Sequence, residues 1–283
     1  MAKEKRIRLV ISDIDGTLLD TDGVLSPVAF VAVGRLRLKG IKLSLCSARP
    51  AFGMRWLVRT LGVDCTCAAL NGALLFDPSG DSSSELPLER SVVQELHRRM
   101  INAGVDVWFY TREEWFVPRL SGPQVTQNSD LLRTAPERYG RLDEVPDPIL
   151  KVVGASDNPD LIEACANRLS REYARRVCTT ISPPHFVDVT HPSADKGRAA
   201  TAIQLAEGVS SADVVAIGDS HGDIPMFHEV GTSIAMGQSC RKVRDSASEV
   251  TRTNAENGFA WAVEFVIARK WPGQSVATSG KGE

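Results

Sequence analysis

Several features that would assign a chain of 283 residues to a class at once are missing from this one. No stretch approaches the roughly 20 apolar residues of a transmembrane helix, which excludes a helical membrane span. The basic start, Lys3-Glu4-Lys5-Arg6, runs into an apolar segment far too short for a secretory signal. The six cysteines include no Cys-x-x-Cys pair and no histidines at zinc-finger spacing, so no zinc motif is written here. They read instead as reduced, largely buried core thiols of a cytoplasmic protein. Excess positive charge is absent as well. A net charge of −2 leaves no basic footprint for nucleic acid or an anionic membrane. Internal repeats are also lacking.

What is present is a soluble composition. Hydrophobic residues make up 43% and charged residues 24%, ordinary proportions for a protein with a real core, and the length suits one large or two medium domains. The apolar run Ile7 to Ile11 reads as a buried strand. It ends in Asp13-Ile14-Asp15-Gly16-Thr17. While the backbone stays extended, residues i and i+2 share a face, so both carboxylates are expected to look into one space at the strand's carboxyl end. Two acids that close repel unless a cation or a proton intervenes. Ser26-Pro27 then starts a helix that Gly40 stops, and Ile41–Cys46 alternates as a strand ending in Ser47-Ala48-Arg49-Pro50. A further helix spans Ala51 to Leu61, and Asn71-Gly72 inside an apolar run marks a hairpin or a tight backbone approach. Strand and helix in alternation predict a parallel sheet with right-handed crossovers.

The rhythm changes at Pro78–Ser84, which reads as a linker. Beyond it stand a helix ending at Gly104, aromatic strands at 105–110 and 114–117, and a long loop over 119–148 with room for one short helix. Then come a strand over 149–153, a helix opened by Asn158-Pro159, and strands over 177–181 and 185–190. This mixture predicts an inserted α+β lobe, an antiparallel sheet with helices on one face. Trp108, Phe109, Tyr110, Trp115 and Phe116 at strand spacing read as its core rather than as a substrate platform. Near Ser193 the first rhythm returns. A helix over 195–207 is followed by the strand Val214–Ile217, which ends in Gly218-Asp219-Ser220-His221-Gly222-Asp223. A short helix, a strand over 232–235, a helix from Asn257 and a Gly/Ser-rich tail expected to be disordered complete the chain. The predicted fold is α/β, a Rossmann-like parallel-sheet core (1–81 and 191–283) with the α+β cap inserted over 82–190.

In an open parallel sheet, ligands bind outside the carboxyl ends of the strands. Those ends carry Asp13, Asp15, Ser47, Asp219 and Asp223, and Lys196-Gly197 at a helix start can reach the same crevice. Carboxylates with water suit Mg²⁺, while a hydroxyl and a lysine suit phosphate oxygens. Together they fit phosphoryl transfer, in which positioning and charge neutralisation supply most of the catalysis.

Asp13-Ile14-Asp15-Gly16-Thr17, Ser47, Lys196-Gly197 and Gly218-Asp219-x-x-x-Asp223 resemble, in order, the four motifs of the haloacid dehalogenase superfamily. The insertion, Asn71-Gly72-Ala73, Asp188 in Phe186–Val189 and Thr251-x-x-Asn254 are similar to its Cof-like phosphatase branch with the type 2 cap. The resemblance covers the chain to about residue 270. It implies a Mg²⁺-dependent phosphomonoesterase of small phosphorylated metabolites, sugar phosphates first. Asp13 would be the nucleophile, Asp15 the general acid/base, and Ser47 and Lys196 the holders of the phosphoryl oxygens. Asp13, the carbonyl of Asp15, Asp219 and Asp223 (directly or through water) would ligate the metal. Asn71, Asp188 and Asn254 would touch substrate. A phosphomannomutase-like phosphomutase and a sucrose-phosphate or mannosyl-phosphoglycerate phosphatase remain open, as does a silent binding module. A monomer or small homo-oligomer is expected. Ala48, Gly222 and Asn257 depart from the branch pattern, where Gly, Asn and Asp are usual; these positions bear on the surroundings of the metal, not on the reacting groups. Arg49 reads as a structural bridge, His221 as solvent-facing, and His185 as surface or substrate-touching alike.

Overall fold

The computed structural model describes residues 6–182 and 184–268; most of the basic start and the Gly/Ser-rich tail lie outside the described residues. The chain enters on β1 (Leu9–Ser12) and passes through α1 (Pro27–Leu38) to β2 (Lys42–Leu45), then through α2 (Ala51–Leu61) to β3 (Cys67–Ala69). A hairpin adds β4 (Leu74–Phe76) and β5 (Ser82–Glu85). The inserted lobe follows as α3 (Arg90–Asn102), β6 (Asp106–Tyr110), β7 (Trp115–Val117), α4 (Val125–Leu132), β8 (Glu137–Arg138), β9 (Lys151–Ala155), α5 (Pro159–Glu172), β10 (Cys178–Ser182) and β11 (Phe186–Thr190). The return runs through α6 (Lys196–Glu207), β12 (Val214–Gly218), α7 (Ile224–His228), β13 (Thr232–Ala235), α8 (Arg241–Ser246), β14 (Glu249–Val250) and α9 (Gly258–Ala268).

The core sheet has the order β14-β13-β12-β1-β2, every pair parallel. Central β1 is wholly buried, and that is why its sequence, Leu-Val-Ile-Ser, shows no alternation. The order reverses at β1, so the crevice at its carboxyl end is the switch point where such sheets bind ligands. Local chemistry sets the helices. Ser26 Oγ accepts from Ala29 N at 3.1 Å to open α1, Asp195 accepts from Gly197 N and Arg198 N at 2.8 and 3.0 Å to open α6, and left-handed Gly62 and Gly208 close α2 and α6.

The lobe's sheet runs β10-β11-β9-β6-β7-β8, antiparallel except for β7 with β8. Its strands obey the period of two. Val107, Phe109 and Phe116 pack with Leu96 and Met100 of α3 and Ile162, Cys165 and Leu169 of α5 in a core of their own. Trp108, Tyr110 and Trp115 point the other way and join the apolar cluster of the catalytic half. The aromatics are thus buried, but in two layers.

Three local expectations need correction. The Ser-rich stretch is not a linker: 77–81 makes a turn, and Ser82–Glu85 pairs antiparallel with β4, so these residues belong to the core side. Its edge position explains the missing pattern, since little of it is buried. The loop over 119–148 holds α4, seated on α2. Gly53 makes that seat, because a Cβ there would lie 2.7 Å from Leu132 Cδ2. Not all cysteines are core, since Cys240 is exposed and Cys178 half-buried.

Candidate active site

β1 ends at Ser12, one residue before the acids, and that changes how they point. Asp13 keeps the strand's direction: its amide donates to Ile217 O at 2.9 Å, and Oδ1 accepts from Lys196 Nζ at 2.6 Å. Asp15 lies beyond the strand, where the chain turns at Gly16 (φ +74°). Its carboxylate faces Arg49, with Nε to Oδ2 at 2.8 Å and Nη2 to Oδ1 at 2.6 Å. The two acids therefore do not share one space through their side chains, as the alternation predicted. Gly16 is needed at this turn, since a Cβ would stand 2.5 Å from Asp219 Oδ2.

Lys196, 4% exposed, stands at the first turn of α6 and bridges Asp13 and Asp223, the latter at 2.7 Å to Oδ1. Asp223 Oδ2 accepts from Asp219 N, Ser220 N and Ser220 Oγ at 3.1, 2.9 and 2.8 Å. Both oxygens of Asp223 are therefore committed, and of the expected direct or water-mediated roles only the second leaves these bonds intact. Asp219 Oδ1 accepts from Thr17 Oγ1 at 3.2 Å. Each of Asp13, Asp219 and Asp223 offers an oxygen, the three within 4.8 Å of one another.

Electrostatics make this cluster short of positive charge. Burial, then Asp223, pushes the Asp13 carboxyl well above the ordinary carboxylate range. The same two causes raise Asp219 to about 6. Burial alone would lower Lys196, but Asp13 and Asp223 outweigh it and hold the ammonium charged. One lysine against three carboxylates leaves room for a cation, and an all-oxygen donor set suits a hard one. The residues thus fit Mg²⁺, held by Asp13, Asp219 and the Asp15 carbonyl with Asp223 behind them. Cys46, beside Lys196, is no rival nucleophile, because burial pushes its thiol up to about 12.

Ser47 is buried at the end of the adjacent strand, its Oγ accepting from Arg49 N at 3.1 Å. Leu70 and Asn71 both take left-handed backbone (φ 52° and 56°) so that their amides reach Arg49 O and Ser47 O, each at 2.9 Å. For a buried leucine that conformation costs energy, of order 1–3 kcal/mol, and it fixes the loop holding Ser47. Gly72 completes the turn against α6, where a Cβ would lie 2.9 Å from Asp195 O. Asn71 is thereby brought beside the site.

Asn254 is a correction. Both hydrogens of its amide go to backbone carbonyls, Thr17 O at 3.0 Å and Leu19 O at 2.9 Å, so it clamps the loop after Asp15 and has no N–H left for substrate. Asp188 faces the core from β11, paired with Lys151 Nζ at 2.8 Å and accepting from Ser182 Oγ at 3.1 Å. Lys151 Nζ also lies 3.4 Å from Ala48 O, next to Ser47. His185 meets Ser156 O at 3.2 Å, and exposed His221 lies 3.6 Å from Cys240 Sγ. Sequence reasoning missed Lys151 and left Arg49 out. A lone lysine inside an apolar strand, and an arginine two residues past Ser47, were the signals available.

The family model described as haloacid dehalogenase-like hydrolase matches residues 10–263. The chain belongs to that family. Among relatives of this haloacid dehalogenase-like hydrolase is 5-amino-6-(5-phospho-D-ribitylamino)uracil phosphatase YwtE of Bacillus subtilis, 23% identical over 290 residues, covering 94% of this chain and all of the relative. A haloacid dehalogenase-like hydrolase from Bacteroides thetaiotaomicron superposes with a TM-score of 0.85 at 23% identity, over 92% of this chain and 100% of that one. The subclass IIB sugar phosphatase BT4131 gives 0.78 at 20% identity, over 91% and 98%. These likenesses bear out the parallel-sheet core with an antiparallel-sheet cap. Among the described residues, no helix is long and apolar enough to cross a membrane.

Proposed function

We propose that this hydrolase is a Mg²⁺-dependent phosphomonoesterase of small sugar or polyol phosphates, working through an aspartyl-phosphate. The observation that carries the reading is Lys196, buried between Asp13 and Asp223 with Asp219 alongside. Asp13 supplies the oxygen that attacks phosphorus while Lys196 and Ser47 hold the phosphoryl oxygens. The bond to the ester oxygen breaks, and Asp15 gives that oxygen its proton. Water then attacks the aspartyl-phosphate, returns a proton to Asp15 and frees phosphate and Asp13. Bound Mg²⁺ would neutralise charge gathering on the phosphoryl group. A relative named for a ribityl phosphate and a neighbour named a sugar phosphatase support a polyhydroxylated leaving group. We assign its recognition to the cap, through Asp188, Lys151 and Ser182, with Asn71 on the core side. Monomer or small oligomer, a cytoplasmic enzyme of this kind needs no nucleic-acid or membrane partner.

The test is a panel of phosphorylated metabolites assayed for phosphate release with and without Mg²⁺, using wild type and Asp13→Asn. Release that needs both the metal and Asp13 is expected. Isomerisation stimulated by a bisphosphate, without phosphate release, would make the protein a phosphomutase instead, and no Asp13-dependent turnover at all would leave a binding module.

A further inference from the structure

Arg49 joins two parts of the molecule that nothing else among its contacts would connect. Its guanidinium is 4% exposed, yet the carboxylate it grips, Asp15, has a side chain 46% exposed. Nε and Nη2 take the two oxygens of Asp15 at 2.8 and 2.6 Å, and Nη1 donates to the carbonyl of Leu131, in α4 of the cap, at 2.9 Å. All three nitrogens are thus in use, two on the core and one on the cap. A planar, forked cation fixes direction as well as distance, which a lysine's point charge would not. Its own backbone is held by Ser47 Oγ and by the amide of left-handed Leu70. The far end is also held, since Leu132 fills the space left open at Gly53, and the Arg133 guanidinium stacks 3.7 Å from the Trp56 ring centroid.

We propose that Arg49 is a positioning residue that makes the seating of the 125–133 segment and the placement of Asp15 a single event. Asp15 stands beyond the end of β1 and has no strand to aim it. With the cap segment seated, Leu131 O fixes the guanidinium, and the guanidinium fixes the carboxylate for proton transfer. With the segment lifted, one of three contacts is lost and Asp15 is free to swing. Coupling of this kind is reciprocal, so removing the Asp15 carboxylate must loosen the segment in return. The proposal rests on the phosphatase reading only for its kinetic arm.

That arm compares Arg49→Met and Asp15→Asn, alone and combined, on a sugar phosphate and on nitrophenyl phosphate in single turnovers. Arg49→Met is expected to lower kcat on the sugar phosphate about 30-fold with KM little changed, and about threefold on the activated ester, whose leaving group needs no proton. In the Asp15→Asn background it should add no more than about twofold. Equal losses on both esters, or a further tenfold loss in that background, would make Arg49 a plain structural brace. Should Arg49→Met fail to fold by thermal melt, Arg49→Lys carries the test, with the same pattern at smaller size. The second arm needs no turnover. Amide exchange over 125–134 should quicken about tenfold in both Arg49→Lys and Asp15→Ala, while 106–110 stays as in wild type. Unchanged exchange over 125–134 in a folded Asp15→Ala overturns the coupling. A wild type that releases no phosphate refutes the phosphatase reading and leaves the exchange arm to decide the coupling.

Discussion

Two lysines are buried against aspartates at the crevice, one in each half, and they differ in balance. Core Lys196 meets Asp13 and Asp223 at 2.6 and 2.7 Å with Asp219 close by, three acids to one base. Cap Lys151 meets Asp188 alone at 2.8 Å, a matched pair with a serine hydroxyl attached. The unmatched cluster completes itself only with added positive charge and a bound phosphoryl group, which is what a reacting centre requires. The matched pair is satisfied as it stands, and offers a fixed set of donors and acceptors without a net field. Chemistry belongs to the first and selectivity to the second.

The sharpest way to break that division is to disable each lysine. Lys196→Met should lower kcat by more than about a hundredfold on every ester, activated ones included, because it strips the support from nucleophile and phosphoryl oxygens alike. Phosphate release from a protein shown to be folded decides it. Activity within tenfold of wild type would remove Lys196 from the reacting centre.

Lys151→Met should act quite differently. It leaves Asp188 charged in a site where the pair's side chains are 8% and 4% exposed, a loss of about 3–5 kcal/mol. Combining it with Asp188→Leu should recover most of that stability in a thermal melt. The double variant should lose about 10- to 100-fold in kcat/KM on the preferred sugar phosphate and little on nitrophenyl phosphate. Equal losses on both would place the cap pair in the chemistry.

The same contrast explains what was legible in the sequence. Asp13, Asp219, Asp223 and Lys196 could be read because chemistry demands those residue types at strand and helix ends, where the backbone alone places them. Helix boundaries at Ser26, Gly62, Asp195 and Gly208 were equally local. The cap's functional parts depend on packing instead. α4 begins at Gln124 in left-handed backbone with no side-chain cap, and its buried face is Val125 and Leu132, too little to show a period. Lys151 looks like any polar residue in an apolar strand until β11 brings Asp188 to it. Arg49 was read correctly as a bridge, but its partner could not be named. The direction of Asp15 depends on where β1 stops.

A third prediction sharpens the contrast through pH. Asp219 is held at about 6, above its ordinary 3.8, by burial and Asp223. Between those values the folded state binds the extra proton. Its contribution is therefore fullest at low pH and is lost as pH rises through about 6. In metal-free protein, Asp219→Asn should melt a few degrees above wild type at pH 7.5, and the gap should narrow by pH 5. Other carboxylates titrate in both proteins and cancel in the difference. Mg²⁺ at pH 7.5 should raise the melting temperature of wild type more than that of the variant. A gap that widens on acidification would mean that Asp219 is not strained by its neighbours.

The smallest effect belongs to Gly222, where the family pattern has Asn. An amide there could hold Asp223 or a water beside the metal, and losing such support elsewhere typically costs ten- to a hundredfold in affinity. The structure lowers that expectation. Asp223 Oδ2 already accepts three hydrogen bonds, two of them from Ser220. Gly222 is not in the left-handed region, and a Cβ there would meet only Ser220 Oγ, at 3.5 Å, so a side chain is free of strain. Gly222→Asn should therefore fold normally and shift the Mg²⁺ concentration for half-maximal activity by less than about threefold, with kcat at saturating metal unchanged. Ser220→Ala, which removes a hydroxyl donor from Asp223, should shift that midpoint further, by about tenfold. The two titrations side by side decide which residue supports the acid. A tenfold gain from Gly222→Asn, with Ser220→Ala silent, would show that the loop's support comes from position 222 after all.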